Sequence, residues 1–159
     1  MLNNVKTAAL LAGLGGLIMA IAAIAGGRNG LTLGLVIALV MVGGSYWFSD
    51  KLAIASARAK EVTEDQYPQY FATVRELTQR AGIPMPRLYV APNPQPNAFA
   101  TGRSPHHAAV CVNEGLMQML TWDEISGVLA HEISHVRNRD ILTSSVAAAV
   151  AMGITFLAR

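Results

Sequence analysis

Charge is scarce in this chain of 159 residues. Only 14% of them are Asp, Glu, Lys or Arg, and the formal net charge is +2. So small a positive excess gives no footing for binding nucleic acid, whose recognition rests on clustered cations. Aromatic residues make up just 6%, so the 52% that are hydrophobic are mostly aliphatic and rich in alanine. A single cysteine, Cys111, excludes an internal disulfide framework. It reads as a small apolar residue of a strand.

What is present is long uncharged stretches. Residues 7–25 and 31–48 carry no charge, and a glycine-rich turn, Gly26-Gly27-Arg28-Asn29-Gly30, lies between them. As helices, runs of this length span roughly 27–29 Å, close to the thickness of a bilayer's hydrocarbon core. They predict two transmembrane helices joined as a hairpin. A cleaved leader would account for the first run but not the second. Lys6, Lys51, Arg58 and Lys60 flank one side and Arg28 alone the other, which predicts that the chain from residue 50 onward faces the cytoplasm. Tyr46 and Trp47 stand where interfacial anchors belong. A third run, residues 141–158, is again uncharged and reads either as a third span or as a buried helix.

The polar middle has shorter periods. Phe71, Val74, Leu77 and Thr78 recur at helical spacing within a helix predicted over 65–80, with Gly82 and Pro84 as stop signals. Residues 50–62 read as helical too. Short strands are expected at 87–91, 97–101 and 107–113, the last two as an antiparallel hairpin, with a helical segment at 114–120. Thr121 and Glu124 form a capping box that opens another helix, and Ile125, Val128, Leu129, Ile133 and Val136 supply its apolar stripe.

On a neighbouring stripe of that helix lies His131-Glu132-Ile133-Ser134-His135, an H-E-x-x-H pattern. Positions i and i+4 lie one turn apart on the same face, so two imidazoles can aim at one ion. Glu132, one step around, can reach a water on that ion without being a ligand. The chemistry this suits is zinc-assisted hydrolysis with Glu132 as general base. Asp140 could orient a ligand histidine or simply cap the boundary before the third run. Asn97, Ala98, Phe99, Ala100 and Thr101 could be a strand edge that holds an extended peptide, or an ordinary hairpin strand. His106 and His107 read as a solvated turn.

Taken together, PQPNAFATG, the long segment through HEISHVRNRD, and the hydrophobic runs in this order resemble the HtpX-like membrane zinc metalloproteases, relatives of the type I CAAX prenyl proteases. That resemblance implies a mainly α membrane protein. Residues 1–49 would be a transmembrane helical hairpin. Residues 50–140 would be a small α+β zincin-like metalloprotease portion, with a β-hairpin and the HExxH helix, and 141–159 would be the start of a third transmembrane helix. It implies one Zn²⁺ per subunit on His131 and His135, with Glu132 as catalytic acid/base and residues 97–101 along the substrate cleft. It implies a multi-pass protein of the cytoplasmic membrane, its active site facing the cytoplasm. Its partners would be the lipid bilayer and misfolded or membrane-protein substrates, in a stress-linked quality-control role. Members of that family take a third ligand, a glutamate, from a later helix. The chain is therefore expected to be an N-terminal fragment whose third ligand lies beyond Arg159, binding zinc poorly and nearly inactive by itself. The competing expectation is a non-catalytic anchor or partner-binding piece.

Overall fold

The structure is a computed structural model and describes residues 2–141; the third hydrophobic run falls almost wholly outside them. Helix α1 (Leu2–Ser56) is apolar along most of its length and is broken at Gly27, whose φ of 56° and ψ of −135° suit glycine alone. Beyond the break the two limbs lie against each other. A methyl built on Gly34 would stand 2.6 Å from the Ala22 Cβ, and one on Gly15 would stand 3.8 Å from Val42 Cγ2. Residues 15 and 42 would be roughly 40 Å apart in a straight helix. Within α1, Ala8–Gly44 is long and apolar enough to cross a membrane, with a mean hydropathy of 2.3 and its most apolar window entirely unburied.

The helix runs on past residue 50, as its pattern predicts, but does not reach residue 62. It ends where Arg58 turns left-handed (φ 53°). There Arg58 N–H donates to Ala55 O and Ala59 N–H to Ile54 O, a Schellman closure. Residues 60–61, expected to be helical, instead form the short strand β1 (Lys60–Glu61). Helix α2 (Pro68–Ala81) starts three residues later than its periodicity suggested. Proline suits the first helical position and keeps the residue before it out of the helical region. Gly82 closes α2 in the left-handed conformation, as its place in the sequence predicts.

Strands β2 (Arg87–Ala91), β3 (Ala98–Gly102) and β4 (Ala108–Asn113) complete a four-stranded mixed sheet of order β1-β2-β4-β3. The β3–β4 pair is antiparallel, with Ala100 opposite Val110, whereas β2 and β4 run parallel, with Tyr89 opposite Cys111. A short helix α3 (Glu114–Met119) and then α4 (Trp122–Asn138) follow.

Strand alternation sorts the sheet's side chains into two cores. Leu88, Val90, Val110 and Val112 meet Tyr70, Val74, Ile125, Leu129 and Ile133 of α2 and α4. Tyr89, Ala91, Ala109 and Cys111 meet Ile54, Ala57 and Ala59 at the end of α1, with Phe99 beside them. Coverage of both faces explains why β2 and β4 are apolar throughout instead of alternating with polar residues. The buried Tyr70 hydroxyl donates to Val110 O at 3.2 Å, tying α2 to the central strand. Burial pushes the Cys111 thiol up to about 12.

Candidate metal centre

Helix α4 opens on its capping box. Glu124 N–H donates to the Thr121 hydroxyl, and the Glu124 carboxylate accepts from the Thr121 N–H at 2.8 Å. The Thr121 N–H and then its hydroxyl, both donating to this carboxylate, hold the Glu124 carboxyl below its ordinary range. The stripe Ile125, Leu129, Ile133 and Val136 is buried. This clamps the rotation of the helix about its axis, so His131 and His135 come to the rim of the packed face.

There the two rings converge. His131 Nε2 and His135 Nε2 are 3.0 Å apart, with ring centres 4.5 Å apart and planes at 85°. Two nitrogens on a tetrahedral zinc, with bonds of roughly 2.0–2.1 Å, lie roughly 3.3 Å apart. The pair is thus spaced as two ligands of one ion, and neutral imidazole nitrogens are donors zinc accepts. Among the described residues, no third His, Cys, Asp or Glu joins them in a metal-holding cluster.

Asp140 reaches this pair by a route that helix geometry alone does not give. Arg139 adopts a left-handed conformation (φ 56°) and ends α4 in another Schellman closure, with Arg139 N–H donating to Val136 O and Asp140 N–H to His135 O. That turn folds Asp140 back over the last turn of the helix, and its Oδ2 accepts from His135 Nδ1–H at 3.1 Å. A carboxylate only accepts, so the ring proton sits on Nδ1 and the lone pair on Nε2 faces His131. The other oxygen, Asp140 Oδ1, is buried and has no partner among the described residues.

Glu132 is held by the sheet. Its Oε2 accepts from the backbone N–H of Ala100 at 2.9 Å, across from α4 to β3. Asn113 N–H donates to Asn97 O, so the odd-numbered residues of this segment turn their backbone groups toward β4. Ala98, Ala100 and Gly102 therefore turn theirs to the open edge. Of the residues expected to hold substrate, Ala98, Phe99 and Ala100 are half-buried and Asn97 is exposed just before the strand. Thr101 is 1% exposed, so its side chain faces the interior. His106 and His107 lie in a short 3₁₀ turn (Pro105–His107), exposed, with His107 Nδ1 3.0 Å from the Ser104 hydroxyl and apart from the paired histidines.

An imidazole pair with a carboxylate behind one ring, and a glutamate of the same helix held by the adjoining strand, fits a metallopeptidase helix. A family model for peptidase family M48 matches residues 64–159. The chain belongs to family M48. Its M48 segment also aligns within a whole-chain likeness to proteins called "Protease HtpX homolog". One from Syntrophobacter fumaroxidans is 52% identical over 157 residues, which is 99% of this chain and 56% of the relative. Others are from Pelotomaculum thermopropionicum, at 49% over 98% of this chain and 56% of the relative, and Bifidobacterium longum, at 51% over 98% and 51%. The chain is HtpX-like, and it spans about half the length of these relatives.

The contact of Glu132 with Ala100 N–H was not readable from the motif, because it depends on where the chain goes outside α4; of the two readings of Asp140, the structure shows the contact with a ligand histidine. The parallel β2–β4 pairing did leave a sign. The unbroken apolar runs Leu88–Ala91 and Ala108–Val112 are the pattern of strands covered on both faces.

Proposed function

We propose that this chain is the metal-binding portion of a zinc-dependent membrane endopeptidase, with His131 and His135 as ligands and Glu132 as general acid/base. The observation that carries this reading is the 3.0 Å approach of the two Nε2 atoms with the Glu132 carboxylate moored beside them on β3. When bound, zinc supplies Lewis acidity toward water and the scissile carbonyl. Glu132 takes the water's proton on a carboxylate oxygen and later delivers it to the leaving amine. Asp140 keeps the His135 proton on Nδ1. The edge of β3 holds the substrate extended through the backbone groups of Ala98 and Gly102 and the Ala100 carbonyl, with Asn97 at its entrance. Thr101 serves this strand from the interior.

The two limbs of α1 act as a transmembrane hairpin. The protein is multi-pass in the cytoplasmic membrane, with its catalytic face toward the cytoplasm, and it acts on misfolded or membrane-embedded proteins. Two imidazoles hold zinc weakly without a third protein ligand, so the 159-residue chain binds zinc poorly and cleaves little. The test measures zinc content and cleavage of an unfolded protein by this chain and by a form carried to the relatives' full length. Glu132→Gln in the longer form is expected to keep zinc and lose cleavage. Undiminished cleavage in that variant refutes the role given to Glu132, and absence of zinc from the longer form refutes the whole reading.

A further inference from the structure

Where α1 approaches the sheet, two exposed rings stand beside cations from two different elements. The Arg103 guanidinium, one residue past β3, lies 4.8 Å from the Trp47 ring centre, and Lys51 Nζ lies 5.6 Å from that of Phe48. Trp47 is 57% exposed and Phe48 52%. The acid closest in sequence points the other way. Asp50 is 7% exposed, and its Oδ2 accepts from Arg87 Nη2 at 2.8 Å. Residues 51–60 hold Lys51, Arg58 and Lys60 and no carboxylate, and residues 98–113 hold none either. The next acid, Glu61, accepts from the Tyr89 hydroxyl.

The height of this cluster on α1 is equally informative. The exposed apolar residues Leu35, Val36, Leu39, Val40 and Met41 lead up to it. Trp47 stands three residues past the end of Ala8–Gly44, the part of α1 apolar enough to span a bilayer, or about 4–5 Å along the axis. Rings at that depth sit among headgroups, and cations placed over them face lipid phosphates.

We propose that Trp47, Phe48, Lys51 and Arg103 form a docking surface for anionic phospholipid headgroups, and that this contact holds β3 at the bilayer surface through Arg103. The inference rests on the membrane reading of α1. The rings lie at headgroup level, and Lys51 and Arg103 donate to phosphate oxygens. Arg103 adjoins Gly102, the last residue of β3. A bound headgroup thus sets the distance between the membrane and the strand edge next to Glu132. A peptide leaving the bilayer meets that edge within a short reach.

The test uses the full 159-residue chain in phosphatidylcholine vesicles, with Trp122→Phe leaving Trp47 as the only tryptophan, excited selectively on the red side of tyrosine absorption. Brominated phosphatidylglycerol and brominated phosphatidylcholine are compared as quenchers at the same low mole fraction. Phosphatidylglycerol is expected to quench more strongly, each cation enriching it locally about fivefold. The excess is expected to vanish in Lys51→Gln/Arg103→Gln and to shrink at high salt. Equal quenching by the two lipids overturns the proposal while the membrane reading stands. Quenching by neither overturns both. Should Trp122→Phe disturb the fold, the difference between the native chain and Trp47→Phe isolates the same signal.

Discussion

Alanine at position 140 removes the acceptor that fixes the His135 tautomer. In the native chain, His135 Nδ1–H donates to Asp140 Oδ2 at 3.1 Å, which leaves Nε2 free to bind a metal. Loss of such a partner weakens metal binding by about 10- to 100-fold. The 3.1 Å separation is longer than that of strong charge-assisted bonds, which places the loss near the lower end, about tenfold or 1.4 kcal/mol. Stability should not follow affinity. Asp140 Oδ1 is buried with no partner among the described residues, and deleting an unsatisfied buried oxygen removes a desolvation cost. The metal-free Asp140→Ala chain is therefore expected to melt no lower than the native one, while its zinc affinity falls. Asp140→Asn keeps an acceptor oxygen and should lose less affinity. The assay is a zinc titration in detergent against a chromophoric chelator at neutral pH, paired with a thermal melt without metal. Native-like zinc affinity in Asp140→Ala refutes the role assigned to this carboxylate. A large drop in melting temperature instead makes it a structural cap.

Leu129 is fully buried on the inner face of the histidine helix, so Leu129→Ala should cost about 2–5 kcal/mol, read as a lowered thermal midpoint. The Cys111 thiol, pushed up to about 12 by burial, should resist an aromatic disulfide reagent at pH 8 until the chain unfolds, because the thiolate is the reacting form; rapid labelling of the native chain contradicts its place in the sheet. The Glu124 carboxyl is held below its unfolded value by Thr121, so its contribution is present above roughly pH 4–5 and is lost as pH falls through the folded value. The difference in melting temperature between the native chain and Glu124→Gln should shrink on acidification, and a pH-independent difference contradicts this. Gly115→Ala sets a methyl against the Pro94 carbonyl and should lower the melting temperature by shifting the loop before β3.

Local patterns carried the parts of this protein that local physics governs. Gly82 ends α2 because glycine alone enters the left-handed region without penalty. Thr121 and Glu124 start α4 because their side chains satisfy the first free N–H groups. The i, i+4 spacing of His131 and His135 puts their rings on one face of any helix that forms there. The end of α1 was harder to read, since Arg58 occupies a left-handed site that sequence preference reserves for glycine or asparagine. Arg139 does the same at the end of α4, which is why the sequence left open whether Asp140 turns back to His135 or caps the boundary.

The sequence by itself thus determined the apolar runs, the helix bearing the histidines, its starting cap and the pairing of the two imidazoles. Each follows from residues within a few positions of one another. The tertiary structure alone decided that β2 and β4 run parallel, that β3 is an edge strand among the described residues, and that Ala100 N–H moors Glu132. It also decided that Arg103 meets Trp47 across 56 residues of chain. These contacts join segments whose own preferences are indifferent to one another, and only the packing of two helices and the end of a third on one sheet brings them together.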